Sequence, residues 1–189
     1  MIKRREFFRL AGITGAGLVL GFRAFAEGDS LVPILENLSD VSEAFDVTPF
    51  VNIEKSGLIT IMNPRPEMGQ GTFQSLPAII AEELEVSLDK IRIKPTSGES
   101  FFGAQTSGGS SSVRANYNAL RKTGASAREM LVKAASQTWN VPEAECMAQE
   151  GFIFHKASGK SAAYGDLVEV ASKLPVPQNP TLKNPADFK

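Results

Sequence analysis

Apolar and polar residues alternate with period two in Phe50-Val51-Asn52-Ile53-Glu54. After the turn-forming Lys55-Ser56-Gly57 comes the β-branched run Leu58-Ile59-Thr60-Ile61-Met62, so the pattern predicts a β-hairpin. Asn63-Pro64-Arg65-Pro66 ends it, because neither proline can donate to a strand ladder. The period then lengthens. Between about Thr72 and Leu84, Leu76, Ile79, Ile80 and Leu84 share one helical face, with Pro77 in the opening turns where proline is least disruptive. Ile91-Arg92-Ile93-Lys94 reads as a short strand, half apolar and half basic.

A long helix is expected from about Val113 to Trp139. Leu120, Gly124, Ala127, Leu131, Ala134 and Ala135 recur at helical steps and form a face of mostly small residues. That face is expected to pack on a sheet containing residues 58–62 and 90–94, with Leu120, Leu131 and Ala135 buried and Arg121 and Lys122 exposed. Val141-Pro142 stops the helix. A short hairpin around Phe152-Ile153-Phe154 and Ala162-Ala163 and a helix from Tyr164 to Lys173 complete the folded part. The pattern implies an α+β fold, a small mixed sheet with packed helices, over residues 50–173. Residues 174–189, opening Leu174-Pro175-Val176-Pro177, read as a proline-rich linker.

The chain starts differently. Residues 1–26 combine a basic start (Lys3, Arg4, Arg5, Arg9), a weakly hydrophobic stretch of about 13 residues from Leu10 to Phe22, and Ala24-Phe25-Ala26. The pair Arg4-Arg5 followed by Glu6-Phe7-Phe8-Arg9 resembles the twin-arginine export motif. Cleavage is expected after Ala26 and delivery to the periplasm, with any membrane association made through a partner; the alternative is an uncleaved amphipathic anchor. Residues 27–49 are acidic and weakly patterned, and read as a linker or an arm lying on a partner.

Composition narrows the chemistry. A formal net charge of −1 gives no field that would gather nucleic acid. One cysteine, Cys146, excludes an intrachain disulfide and a Cys-based cluster, and one histidine, His155, excludes a multi-His metal site. No metal is expected to be held by this chain's side chains alone. A transition metal would have to arrive inside an organic cofactor or be shared with another chain.

Two loops are candidates for chemistry. Glu67-Met68-Gly69-Gln70-Gly71 lies between a strand and a helix, where backbone N–H groups can meet a polar ligand and the Gln70 amide can donate without adding charge. The alternative is an ordinary turn needing positive φ at glycine. Gly108-Gly109-Ser110-Ser111-Ser112-Val113-Arg114 also runs into a helix N-terminus, with Ser112 as a possible N-cap; the alternative is a surface loop.

Taken together, Asn63-Pro64-Arg65-Pro66-Glu67-Met68-Gly69-Gln70-Gly71, Glu82-Glu83-Leu84 and Gln105-Thr106-Ser107-Gly108-Gly109-Ser110 resemble the molybdopterin-binding subunits of the xanthine dehydrogenase/aldehyde oxidase family. The likeness is to the exported branch that includes isoquinoline 1-oxidoreductase beta subunits and related aldehyde dehydrogenases, and extends over nearly the whole chain. It implies that Gln70 is catalytic, bonding an oxygen ligand of molybdenum. It also implies that Gly69, Gln70, Gly71, Gly109, Ser110 and Ser111 bind the cofactor, molybdopterin in its cytosine dinucleotide form. The implied reaction is hydroxylation of an N-heterocycle or aldehyde with water as oxygen source. Iron–sulfur clusters would sit on a small 2Fe-2S subunit, with a cytochrome c as a further electron acceptor.

In that family the glutamate acting as general base and the hammerhead-type domain lie beyond the segment matched here. The resemblance therefore implies a cofactor-cradling N-terminal portion, inactive alone and partnered by the remaining portion of the large subunit. The alternative is a non-catalytic accessory module or a truncated product. Glu82 and Glu83 are expected on a solvated helix surface, and Glu67 as a brace of its loop. His155 is expected to be structural or exposed, Trp139 and Tyr117 to pack on the long helix, and Cys146 to be an unreactive thiol because of its acidic neighbours.

Overall fold

The computed structural model describes residues 17–20, 44–46 and 50–189. The hairpin forms as its alternation requires: β3 (Val51–Glu54) pairs antiparallel with β4 (Ile59–Asn63), and Val51, Ile53, Ile59 and Ile61 are buried. Before it in the chain come β1 (Gly17–Leu20) and β2 (Ala44–Asp46). β1 pairs parallel with β2 and antiparallel with β3, so it falls within the stretch expected as the export segment's apolar part. The rest of that segment and most of the 27–49 arm lie outside the described residues.

Helix α1 (Thr72–Leu84) follows β4, and β5 (Ile91–Pro95) returns beside β4 in parallel register, from Ile59 opposite Ile91 to Asn63 opposite Pro95. The result is a five-stranded sheet of order β2-β1-β3-β4-β5. Leu76, Ile80 and Leu84 of α1 are fully buried, as their spacing predicts.

The long helix α2 (Ser112–Trp139) lies mainly on α1 and on α3 (Tyr164–Ala171), not directly on the sheet as expected. The small-residue face explains the difference. It lets α2 approach the backbone of another helix, and α1 already covers β4. Leu120, Leu131 and Ala135 are buried, but Arg121 is buried too and Lys122 is half-buried. Asn140, in the left-handed conformation, ends the helix two residues before Pro142.

The expected hairpin at 152–163 is part of a three-stranded antiparallel sheet: β6 (Cys146–Gln149), β7 (Phe152–His155) and β8 (Lys160–Ala163). The buried Tyr164 hydroxyl donates to the Leu84 carbonyl at 2.7 Å, which joins this unit to the end of α1. His155 is buried, with Nε2 2.8 Å from Glu145 Oε2 and Nδ1 2.7 Å from Ser158 Oγ, so its role is structural. Burial pushes the Cys146 thiol up, and Glu145 and Glu143 push it further.

The expectation of solvated glutamates on α1 fails because their partners arrive from α2 and the tail. Glu83 is not solvated but fully buried, gripped by Arg121 and Arg128 from α2. Glu82 pairs with Lys183, and Lys183 and Lys189 both pair with Glu85. The tail is extended but pinned: Arg121 donates to Lys183 O and Arg128 to Thr181 O, each at 2.5 Å. The Lys183 N–H donates to Glu83 Oε2 at 3.0 Å. Among the described residues no helix is long and apolar enough to cross a membrane.

Candidate functional site

Parallel pairing of β4 and β5 brings their C-terminal ends side by side, the end of an α/β sheet at which ligands characteristically bind. The loop after β4, residues 64–71, and the loop after β5, residues 96–111, therefore leave the sheet together, and Thr96 N–H donates to Asn63 O at 3.1 Å. Further along, Arg65 Nη1 donates to the Thr106 carbonyl and Ser107 Oγ donates to the Pro66 carbonyl at 3.0 Å. Gly69, Gln70 and Gly71 thus share one seam with the 105–111 loop that carries Gly109, Ser110 and Ser111.

The first loop is organised by Glu67, which braces it as the sequence suggests. Its carboxylate accepts from Gly69 N at 2.7 Å, Gly71 N at 3.0 Å, Thr72 Oγ1 at 3.1 Å and Phe73 N at 2.7 Å. Those bonds, led by the one from Phe73, hold its carboxyl down at about 2. The Gly69 and Gly71 amides expected to face a ligand are already committed to Glu67. Gly69 and Gly71 have φ of 94° and 84°, a left-handed backbone that suits glycine, and an added Cβ at either would meet nothing within 4 Å.

Gln70 is exposed, yet its amide is folded back on its own loop. Nε2 donates toward Pro66 O at 2.7 Å, Thr72 Oγ1 at 3.0 Å and Ser107 Oγ at 3.3 Å, while Oε1 accepts from Met68 N at 2.6 Å. At the apex Met68 is 72% exposed, an apolar side chain held out beside the amide.

The second loop ends differently. The N-cap of α2 is Ser111, one residue earlier than expected, and it makes no side-chain cap. Its hydroxyl donates to Gly108 O at 2.9 Å instead. No acidic residue stands in the first turn, and Arg114 does. The opening amides of this 28-residue helix are therefore not satisfied by a side chain, and no acidic residue of its first turn offsets the positive end of its dipole. Ser110 has a φ of 51°, which a non-glycine residue adopts only where its surroundings enforce it.

Asn63, Arg65, Thr106 and Ser107 also join the seam; they belong to the motifs that carry the family resemblance, which assigned none of them a role in the site. Asn63, at the end of β4, and Arg65 just past it are buried, and Asn63 Oδ1 and Arg65 Nε have no hydrogen-bond partner among the described residues. The Pro-Arg-Pro context, which sets Arg65 between two conformationally restricted residues, was the available signal. Among the described residues no group of three or more His, Cys, Asp or Glu could hold a metal ion.

A family model described as "Molybdopterin cofactor-binding domain" matches residues 21–189. The chain is 30% identical over 174 residues to the isoquinoline 1-oxidoreductase subunit beta of Brevundimonas diminuta, covering 88% of this chain and 22% of that protein. It is also 30% identical over 167 residues to the membrane-bound aldehyde dehydrogenase [pyrroloquinoline-quinone] of Gluconacetobacter polyoxogenes, covering 88% of this chain and 21% of that one. Quinoline 2-oxidoreductase from Pseudomonas putida 86 superposes with a TM-score of 0.49 at 16% identity, over 85% of this chain and 20% of that one. The chain thus spans about a fifth of the length of these relatives.

Proposed function

Because the chain belongs to the molybdopterin cofactor-binding domain family, we propose that the seam between its two loops is where it holds the cofactor, as the N-terminal portion of an exported molybdenum hydroxylase large subunit. The observation that supports this most directly is the meeting of the two loops at the shared end of β4 and β5. Their donor set fits the group. The uncapped amides opening α2 suit an anionic phosphate, Gln70 offers a neutral amide, and open space lies over Gly69, Gly71, Gly108 and Gly109. The unpartnered Asn63 Oδ1 and Arg65 Nε add buried polarity beneath.

When bound, the cofactor supplies molybdenum-based oxidation–reduction with water as oxygen source, acting on an N-heterocycle or an aldehyde. The chain's own part is to bind and orient. Glu67 fixes the first loop, Arg65 and Ser107 fix the second against it, and Gln70 presents a donor that adds no charge. The partners in this reading are the remaining portion of the large subunit, a small 2Fe-2S subunit and a cytochrome c acceptor. The pterin is in the cytosine dinucleotide form.

Gly108 is the position at which to test the seam, because it lacks the left-handed φ of its neighbours and an added Cβ there meets nothing within 4 Å. Gly108→Val therefore adds bulk without backbone strain. With the chain produced beside the rest of the subunit, the variant should retain roughly tenfold less pterin, measured as fluorescence after oxidation, a loss of about 1.4 kcal/mol. Its thermal unfolding should match wild type. Equal pterin content in both proteins would overturn the reading.

Export belongs to the same proposal. Lysine at both Arg4 and Arg5 should keep the protein in the cytoplasm of a host with a working twin-arginine system. Periplasmic recovery of that double variant would assign export to the general secretory route.

A further inference from the structure

The geometry points to Ser107 as the positioning residue that sets whether Gln70 can turn outward. This deepens the cofactor reading above and rests on it. A carboxamide has two N–H hydrogens, and Gln70 Nε2 has three acceptors in range, of which Pro66 O at 2.7 Å is the nearest and Ser107 Oγ at 3.3 Å the farthest. When Gln70 turns outward to a ligand it gives up Pro66 O, and that carbonyl then depends on its remaining donors.

Two hydroxyls lie near enough to supply one. Thr72 Oγ1 is 3.3 Å from Pro66 O but 3.1 Å from the Glu67 carboxylate, and its single hydrogen favours the charged acceptor. Ser107 Oγ is 3.0 Å from Pro66 O, with no carboxylate competing for its hydrogen. Ser107 therefore stays on the carbonyl while Gln70 departs, and keeps the second loop in place because Arg65 holds the adjoining Thr106 carbonyl. Gln70 and Ser107 share one acceptor, and the serine makes the exchange inexpensive.

This assignment reverses the sign that simple bracing would give. If Ser107 only added a third hydrogen bond to Gln70, its removal would loosen the amide. If Ser107 is the substitute donor for Pro66 O, its removal ties Gln70 more firmly to that carbonyl.

The test uses the full chain labelled with 15N, with the Gln70 side-chain amide signal assigned by its loss in Gln70→Ala. In Ser107→Ala the hydrogen exchange of that amide with solvent should slow by roughly fivefold, the worth of one net hydrogen bond. Ser107→Thr, which keeps the hydroxyl, should exchange like wild type. Faster exchange in Ser107→Ala, or no change, overturns the proposal.

A second arm titrates metal-free molybdopterin into the chain assembled with the rest of the subunit. Ser107→Ala should weaken binding by a similar factor, and should do nothing further in the Gln70→Ala background. Equal losses in both backgrounds would mean that Ser107 acts without Gln70, and would also overturn it. If the wild-type chain takes up no pterin at all, the cofactor reading fails, while the amide exchange still decides the role of Ser107.

Discussion

Glu83→Ala should destabilise the chain by about 3–5 kcal/mol, the cost of stripping the partner from buried charges. For a chain of this size that is a fall in Tm on the order of 10 °C. Glu83 has no exposed side-chain surface, and the two arginine side chains around it are 9% and 15% exposed. Oε1 accepts from Arg121 at 2.7 Å and Oε2 from Arg128 at 3.1 Å and from the Lys183 N–H at 3.0 Å. Removing the carboxylate leaves two cations side by side in a poorly solvated place, held by carbonyl dipoles and, for Arg121, by the rings of Tyr117 and Phe188. The tail should suffer with the core, because the same arginines donate to Lys183 O and Thr181 O. Urea unfolding gives the stability, and proteolysis of native protein gives the second effect, with cleavage in residues 178–189 faster than in wild type. A loss below about 1 kcal/mol would show that the pairing and its desolvation cancel.

Gly124→Val should cost at least about 3 kcal/mol, beyond the usual range for overpacking. A Cβ at Gly124 would lie 2.9 Å from Glu83 Cβ and closer still to the Ile80 carbonyl oxygen. The obstacle is the backbone of α1, which cannot swing aside as a side-chain end can. Gly124→Ala makes the sharper comparison. Alanine is favoured over glycine inside a helix by about 1 kcal/mol, so an open site would gain stability. At this one, Gly124→Ala should instead lose about 1–2 kcal/mol, as α1 and α2 are pushed apart. Since α1 begins at the Gln70 loop, the displacement should also perturb the Gln70 amide signal. A stabilised Gly124→Ala would mean that the two helices have room to spare.

The local elements were legible because their causes are local. Alternation at 51–54, β-branched residues at 59–61 and the apolar spacing of α1 each bury one face of a single element, and Pro64, Pro66 and Pro142 stand just past the ends of β4 and α2. The Glu-Met-Gly-Gln-Gly motif likewise identified the loop, its left-handed glycines and the bracing part of Glu67, all of which depend on residues within six positions.

What the tertiary structure decided depends on groups far apart in the chain. Glu83 reads as a surface carboxylate until Arg121, Arg128 and the Lys183 amide arrive from 38, 45 and 100 positions away; a charge can be buried only where its partners are delivered. The same holds for α2, whose small-residue face announced a close neighbour without saying that the neighbour is a helix. It holds most for the seam. Nothing in either loop states that Ser107, 37 positions from Gln70, shares an acceptor with it. The parallel pairing of β4 with β5 puts them together, and strand pairing is a choice the folded sheet makes.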